Sequence, residues 1–197
     1  MTRFVGLTGG IGAGKSEALA AFERAGAATL STDRVAHEVL EDPEVVELLV
    51  ERWGTDVAPN GRVDRARVAK LVFEDPEELA WLESHTHPRV GRAVVEWRGS
   101  LDPGLEVAVI EVPLLYESGM QDAFDEIVAV IADDVVREAR LRERGQPGLE
   151  GREQRQLSQE EKASRAHHVI RNEGSLEELG RVVEHTHRKI ADGDRSP

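Results

Sequence analysis

Short apolar runs alternate along the chain with longer stretches in which apolar residues recur at helical spacing. Five of the apolar runs are candidate strands, at residues 4–7, 28–30, 107–112, 127–131 and 168–170. Strands separated by helical patterns in this way are typical of a parallel sheet with helices on both faces. The pattern therefore predicts an α/β fold built on a five-stranded parallel sheet flanked by helices.

The amphipathic stretches predict the helices between these strands. Residues 17–24 have one apolar side, and this helix is predicted to end at Gly26. Further helices are predicted at 134–144, 154–165 and 176–190. The last of them carries a predicted packing stripe formed by Leu176, Leu179, Val182 and Val183.

A long insertion separates the second and third candidate strands. It spans about 75 residues, although a crossover between parallel strands needs only about a dozen. Helical patterns occur in it at Pro43–Trp53, at 65–73 and after Asp75-Pro76. Pro88 is predicted to break or restart the third of these helices. The insertion either shapes a second substrate pocket or is a structural helical cap, and the pattern leaves both open.

Composition and charge exclude several classes of protein. The 197 residues suffice for one domain with an elaboration, and no apolar run is long enough to cross a bilayer. The N-terminus lacks the apolar core of a signal peptide, so the protein is predicted to be cytoplasmic. A net charge of −13 argues against a broad nucleic-acid surface. The absence of cysteine excludes disulfides, thiolate metal sites and a cysteine nucleophile.

A glycine-rich segment lies between the first strand and the first helix. Residues 9–16 read GGIGAGKS and match the phosphate-binding pattern G-x-x-x-x-G-K-[ST]. A loop that wraps a phosphate with backbone N–H groups needs dihedral angles and close approaches that glycine permits. The helix that follows aims its dipole at the same anion, Lys15 can reach the β- and γ-phosphates, and the Ser16 hydroxyl can bind Mg²⁺. The motif therefore predicts nucleotide binding.

Two classes of phosphate-loop protein are unsupported. A GTPase needs a later N-K-x-D tetrapeptide, which the chain lacks. Leu157-Ser158-Gln159 begins like an ABC-transporter signature, but Glu160 and Glu161 stand where that signature has glycines. A small-molecule kinase remains, and it needs a base for the acceptor, a substrate pocket and mobile arginines that neutralise the transferring phosphoryl group.

Asp33 is the candidate base. It follows the second strand, at the carboxyl end where parallel sheets bind their ligands. Its carboxylate could accept the proton of a hydroxyl acceptor, or it could cap a helix at 34–40. The spacing favours neither, and the two roles are compatible.

Three arginines lie on one face of the helix predicted at 134–144. Arg137, Arg140 and Arg144 recur at i, i+3 and i+7. This face could clamp a polyphosphate, or it could be a solvated surface with Glu138 and Glu143 as partners. The glycine-rich segment that follows the helix favours a moving lid.

Histidines and tryptophans give weaker signals. Six of the seven histidines occur in close pairs, but without cysteine or an H-E-x-x-H motif a zinc site is not favoured. The three tryptophans are expected to pack within the insertion, although one could stack on a purine; they are Trp53, Trp81 and Trp97.

Several motifs, in order and over nearly the whole chain, resemble the dephospho-coenzyme A kinase family. They are GLTGGIGAGKS near the start, TDRVAHEV after the second strand, His87-Pro88, VPLLYESG at 112–119, R-L-x-x-R at 140–144, and a final series of Gln156, Lys162, Ala166, Val169-Ile170, Asn172 and Gly174-Ser175. The resemblance implies transfer of the γ-phosphoryl group of ATP, with Mg²⁺, to the ribose 3′-hydroxyl of dephospho-coenzyme A. This reaction is the last step of coenzyme A synthesis.

The resemblance also implies a three-part, P-loop nucleoside-kinase-like fold. The nucleotide-binding core would comprise residues 1–33, 105–136 and 166–197, with a helical coenzyme-binding insert at 34–104 and a lid at 137–165.

Carried over by position, the resemblance implies a set of site residues. The implied catalytic residues are Lys15, Asp33 and Arg140. The implied nucleotide site consists of Gly10, Ile11, Gly12, Ala13, Gly14, Lys15, Ser16, Glu17, Arg144, Asn172, Gly174 and Ser175, with Ser16 also the metal ligand. The implied acceptor site consists of Thr8, Asp33, His87, Pro88, Pro113, Leu114 and Leu115.

Four positions depart from the residues usual in that family. Ser31 stands where an aspartate is common, two residues before Asp33. Glu111 replaces an aspartate with a longer carboxylate, which could still act on Mg²⁺ through water. Arg137 and His167 stand in place of a glutamine and an aspartate, and we expect both changes to be tolerated.

Two other functions remain open at this stage. The chain could be a kinase of another small hydroxylated metabolite or of a nucleoside, or it could be an ATP-binding regulator without turnover. An acceptor that stimulates ADP release would distinguish a kinase from a regulator.

Overall fold

The chain forms two compact units. The computed structural model describes residues 1–143, 145 and 156–193. The first unit combines Met1–Ser31 with Leu101–Pro197, and the second is Thr32–Ser100. The division into core, insert and lid predicted from the sequence is a finer one and stays a prediction.

The first unit is built on a parallel sheet. Its strands are β1 (Arg3–Gly9), β2 (Ala28–Ser31), β3 (Val107–Glu111), β4 (Glu126–Ile131) and β5 (His168–Arg171). They lie in the order β2-β3-β1-β4-β5, and all four pairings are parallel. The predicted α/β fold with five parallel strands is confirmed. Because β1 is central, its carboxyl end, and the loop that leaves it, lie between the ends of β3 and β4.

The described chain has eight α-helices. They are α1 (Lys15–Arg24), α2 (Thr32–Leu40), α3 (Pro43–Trp53), α4 (Arg65–Glu74), α5 (Pro76–Gly99), α6 (Asp134–Glu143), α7 (Gln159–Arg165) and α8 (Leu176–Asp192). Short 3₁₀ turns lie at Thr55–Val57, Pro59–Gly61 and Gln121–Ala123. None of the described helices has the length and apolar character needed to cross a membrane.

One face of the sheet is covered by α1 and α8. The fully buried Phe22 of α1 belongs to the same cluster as Val5 and Val128 of the strands and Val183 of α8. Helix α1 ends where predicted, because Gly26 adopts φ +101° and the next amide, that of Ala27, donates to the Phe22 carbonyl at 3.0 Å. This packing fixes the direction in which α1 points.

The apolar stripe of α8 differs from the predicted one. Leu179 and Val183 are buried as expected, but Leu176 and Val182 are 65% and 41% exposed. The buried stripe continues instead through Thr186 and Ile190. Buried positions therefore follow a four-three-four spacing along α8.

Two helix predictions are wrong in detail. The helix predicted at 154–165 begins only at Gln159, because the Ser158 hydroxyl accepts a hydrogen bond from the Glu161 amide and starts the helix there. Pro88 neither breaks nor restarts α5, which continues through it. The packing of α5 against α2 and α4 outweighs the backbone hydrogen bond that proline cannot make.

The second unit has its own apolar core. The core consists of five buried residues, Val45, Leu49, Val57, Val63 and Val68. Trp53 and Trp81 pack edge to face beside it, with ring centroids 5.1 Å apart, so the packing role expected for these two tryptophans is confirmed. Asp75 caps α5 and is followed by Pro76, as predicted.

Candidate active site

The glycine-rich loop leaves β1 and opens α1 without a capping side chain. Gly14 is the residue before α1, with φ +95°, and no side-chain oxygen accepts from the first turn. The other described α-helices with an assigned N-cap residue carry a side-chain acceptor there: Asp42, Asp64, Asp75, Ser158 and Ser175. The first N–H groups of a helix have no partner inside it. The start of α1 therefore carries the positive end of the helix dipole, which favours an anion at this position.

Lys15, Ser16 and Glu17 form the first turn of α1. The Lys15 ammonium donates to the carbonyls of Gly9 and Gly10 at 3.2 and 3.0 Å, so it lies over the loop. The Ser16 side chain is exposed and Glu17 is half-buried. This turn presents a cation and a hydroxyl at the place where the helix dipole is positive.

Arg137 supports the loop from outside. Its Nε donates to the Ile11 carbonyl at 2.8 Å, and its Nη1 donates to Asp134 at 2.7 Å. Arg137 is only 4% exposed, so it does not belong to a solvated helix face. Arg137, which stands in place of a glutamine in the resemblance described above, thus binds the loop backbone.

Arg140 and Asn172 support the next part of the loop. Asn172 is buried, and its Nδ2 donates to the Ala13 carbonyl at 2.8 Å. Arg140 donates to the same carbonyl and to the Asn172 side-chain oxygen, both at 3.3 Å. The carbonyls on the outer side of the loop are thus held by donors from α6 and from the end of β5.

Close packing on this outer side explains why glycine is needed at two positions. A Cβ at Gly14 would lie 2.2 Å from the Asn172 Nδ2, and a Cβ at Gly12 would lie 3.0 Å from the Arg137 carbonyl oxygen. Both glycines also have positive φ, +76° at Gly12 and +95° at Gly14. The outer contacts and the positive φ values therefore both require glycine at these two positions.

Gln159 and Lys162 also lie beside the phosphate loop and the turn after β3. Neither residue is assigned a role there from the sequence. Gln159 donates to the Ala132 carbonyl at 2.8 Å and accepts from the Ala132 amide at 3.1 Å, and its side chain lies against Gly10. Lys162 is fully buried. The family resemblance marks Lys162 without a role, and Gln159 lies three residues before it on the same face of α7.

The acceptor-side residues of the first unit differ in exposure. Thr8 is fully buried, and its hydroxyl donates to the Pro113 carbonyl at 3.2 Å. Leu115 is also fully buried and lies against Gly6. Pro113 is half-buried and Leu114 is 42% exposed. Of these four side chains, those of Leu114 and Pro113 have surface that a substrate could contact.

The remaining acceptor-side residues belong to the second unit. Helix α2 begins at Thr32, so Asp33 lies within its first turn with an exposed side chain. The alternative role of Asp33 as the cap of a helix starting at residue 34 is therefore wrong, because the helix has already begun before it. His87 and Pro88 are both exposed on α5.

The last predicted nucleotide-side residues surround the start of α8. Ser175 caps α8. The Ser175 amide and hydroxyl donate to the Glu178 carboxylate at 2.8 and 3.1 Å. These hydrogen bonds hold the pKa of Glu178 below its usual range, and the bond from the amide has the larger effect. Gly174 lies against the same carboxylate. Arg144, predicted for the lid, lies outside the described residues.

Two oxygen-bearing side chains suit a magnesium ion. Ser16 offers an exposed hydroxyl, and Glu111, 5% exposed, ends β3 opposite Leu7 of β1. The described residues contain no group of three or more histidine and carboxylate side chains arranged to hold a metal. Magnesium in nucleotide sites is bound by one or two protein oxygens together with phosphates and water. The residues present therefore fit an ion that arrives with a polyphosphate.

Comparisons with known proteins point to one family. The family model of dephospho-CoA kinase matches residues 3–178. Among curated relatives, the dephospho-CoA kinase of Chlorobaculum tepidum is 38% identical over 195 residues, which are 94% of each chain. The dephospho-CoA kinase of Deinococcus radiodurans is 40% identical over 182 residues, covering 90% of this chain and 87% of the relative.

Solved structures show the same architecture. A structure from Thermus thermophilus superposes with a TM-score of 0.82 at 34% identity, covering 95% of this chain and 97% of the other. The dephospho-CoA kinase from Campylobacter jejuni superposes with a TM-score of 0.73 at 24% identity, covering 98% and 100%. The second likeness concerns the fold alone.

Proposed function

The chain belongs to the dephospho-CoA kinase family, and we propose that its glycine-rich loop binds ATP and Mg²⁺ for phosphorylation of the ribose 3′-hydroxyl of dephospho-CoA. The protein is an ATP-dependent dephospho-CoA kinase, a transferase of coenzyme A biosynthesis. The position of the acceptor hydroxyl, the metal and the roles of individual residues are the proposed parts. We also propose that the enzyme acts in the cytoplasm.

One observation supports the proposed phosphate site most directly. Helix α1 begins at a left-handed glycine without a side-chain cap, under a lysine that reaches back over the loop. Backbone donors that are left uncapped at a helix N-terminus favour an anion, and the adjacent ammonium adds to that preference. The loop is therefore suited to the β- and γ-phosphates of ATP.

These residues contribute to phosphoryl transfer by positioning the reactants and by neutralising charge. Lys15 and the loop amides stabilise negative charge that spreads over the transferring phosphoryl group. Arg140 is the other residue that we propose stabilises this charge, and its bonds to the Ala13 carbonyl and to Asn172 hold it beside the loop. A bound Mg²⁺ would neutralise part of the phosphate charge. We propose that the Ser16 hydroxyl would hold it and that Glu111 would act on it through water.

Asp33 is the proposed base. Its carboxylate is exposed in the first turn of α2, so it is accessible to a hydroxyl acceptor. In phosphoryl transfer such a carboxylate orients the hydroxyl and accepts its proton. Loss of the carboxylate therefore affects turnover more than binding of ATP.

ADP release measured with a panel of acceptors tests this function. We expect dephospho-CoA to stimulate release, and nucleosides and other hydroxylated metabolites to have no effect. Stimulation by a nucleoside alone would instead indicate a nucleoside kinase, and release stimulated by no acceptor would indicate an ATP-binding regulator.

Two variants test the residue roles in the same assay. Lys15→Ala should abolish phosphoryl transfer, because the ammonium neutralises charge that develops on the phosphates. Asp33→Asn should lower kcat by about 100-fold or more while leaving the affinity for ATP unchanged. An Asp33→Asn enzyme with normal kcat would contradict the proposed base.

A further inference from the structure

A lysine is buried at the carboxyl edge of the sheet. Lys162 of α7 is 0% exposed, and its ammonium donates to the Pro113 carbonyl at 2.7 Å and pairs with Glu117 at 3.0 Å. Glu117 also accepts a hydrogen bond from the Leu157 amide at 2.9 Å. Removing an ammonium from water is costly, and a buried ion pair often stabilises a fold no better than apolar residues of similar volume. Stability alone is therefore a weak reason for a lysine at this position.

The contacts of Lys162 converge on the turn that follows β3. The Pro113 carbonyl accepts both the Lys162 ammonium and, at 3.2 Å, the Thr8 hydroxyl of β1. Thr8 directly precedes Gly9, where the phosphate loop begins. A single carbonyl thus joins α7, the turn after β3 and the strand that leads into the loop.

The same helix is bonded to the end of β4 and contacts the phosphate loop through Gln159. One turn before Lys162, Gln159 pairs with both backbone groups of Ala132 at the end of β4. The Gln159 side chain lies so close to Gly10 that a Cβ there would be 3.1 Å from its oxygen. Helix α7 therefore contacts both the phosphate loop and the turn after β3.

We propose that Lys162 is a positioning residue, which fixes the Pro113 turn, and with it the exposed Leu114, relative to the phosphate loop. The proposal rests on the proposed function, in which this turn contacts the acceptor. Lys162 touches neither substrate, so it acts through the orientation of the Pro113 carbonyl. A displacement of reacting groups by about 1 Å can cost about 100-fold in rate, so a loosened turn should lower turnover.

An uncharged replacement of the pair separates positioning from stability. In the double variant Lys162→Met/Glu117→Gln the buried charges are removed together, and the new amide oxygen can still accept a hydrogen bond from the Leu157 amide. No unpaired charge remains, so the Tm should stay near that of the unaltered enzyme. We expect kcat/KM for dephospho-CoA to fall by about 100-fold, while ATP affinity measured by calorimetry is unchanged because the loop keeps its contacts to Gln159, Arg137 and Asn172. A double variant with normal Tm and normal kcat/KM would overturn the proposal.

Single variants keep the proposal testable if the double variant does not fold. Glu117→Gln retains a polar partner and leaves the bond from Lys162 to Pro113 in place, so kcat/KM should fall much less than in Lys162→Met. Equal losses in the two variants would overturn a role that depends on the Pro113 carbonyl. Arg188→Met, which alters an exposed cation of α8 outside the proposed coenzyme-binding insert, is the matched control and should change neither Tm nor kinetics.

The unaltered enzyme distinguishes failure of this proposal from failure of the proposed function. If dephospho-CoA stimulates ADP release by the unaltered enzyme, a null result in the variants concerns Lys162 alone. If it does not, the proposed acceptor is wrong and the positioning role falls with it.

Discussion

Gly14 has a backbone conformation and a neighbour that both require glycine. Its φ is +95°, which costs other residues about 1–2 kcal/mol, and a Cβ would lie 2.2 Å from Asn172. Gly14→Ala should therefore displace Asn172 from the Ala13 carbonyl and distort the start of α1. We expect a lower Tm and a higher Kd for ATP, measured by thermal unfolding and calorimetry.

Gly26→Ala is the control for backbone strain at Gly14. Gly26 has a similar φ of +101°, but nothing lies within 4 Å of a Cβ built there. The substitution should lower the Tm through strain alone and leave the Kd for ATP unchanged. A similar Kd change in both variants would show that strain, and not the contact with Asn172, governs the loop.

The role of the residues on the inner side of the loop could be predicted, whereas those on the outer side were named without their contacts to the loop backbone. The motif named Lys15 and Ser16 because adjacent residues in the chain serve one phosphate. The outer donors come from Arg137, Arg140 and Asn172, more than 120 residues further along the chain. No local pattern encodes such contacts, and only the family resemblance marked Asn172 in advance.

At the scale of elements, the cap of α8 makes its stability depend on pH. Glu178 has a lowered pKa because its charged form accepts two hydrogen bonds from Ser175. Because this pKa is lower in the folded state, the Glu178 carboxylate stabilises the fold fully above the usual glutamate pKa of about 4.3. This stabilisation is lost as the pH falls through the lower pKa of the folded state. The Tm difference between the unaltered enzyme and Glu178→Ala should be largest near neutral pH and vanish in acid.

Glu177→Ala is the matched control for that measurement. Glu177 is the neighbouring exposed carboxylate and pairs with Arg181 on the surface of α8, without a part in the cap. Its effect on the Tm should be small at all pH values, as exposed ion pairs contribute little. An equal response of both variants would point to general charge effects in place of the cap.

Pro88 lies inside α5, where proline is unfavourable. Restoring the backbone donor with Pro88→Ala should raise the free energy of unfolding by up to about 3 kcal/mol. If Pro88 contacts the acceptor as proposed, the same change should raise KM for dephospho-CoA. Gly91→Ala, one turn later at an exposed position with open space, should stabilise by about 0.5–1 kcal/mol with normal kinetics.

Strands and most helices could be predicted because their patterns are local. The first strand is longer than predicted by one residue at its start and two at its end, because glycine and threonine hide its continuation. The continuous α5 could not be predicted, since proline normally ends a helix and only packing against α2 and α4 reverses that preference. The late start of α7 follows from a serine cap within a stretch of otherwise helical residues.

At the scale of the whole molecule, two separate cores predict separable effects of mutation. Leu49→Ala removes a side chain that is 1% exposed in the core of the second unit and should cost about 2–5 kcal/mol. It should raise KM for dephospho-CoA while calorimetry still detects ATP binding. Phe22→Ala, in the core of the first unit, should cost about 3–5 kcal/mol and weaken ATP binding. Identical kinetic defects in the two variants would contradict this independence.

The donors that hold the outer side of the loop also set the order of events during synthesis. A ribosome releases Gly9 to Ser16 early, but the contacts to Ile11 and Ala13 come from residues 126, 127 and 159 positions downstream. A nascent chain therefore cannot complete this cradle until the fifth strand has emerged from the exit tunnel. Nucleotide capture should accordingly be a late step of co-translational folding, close to chain release.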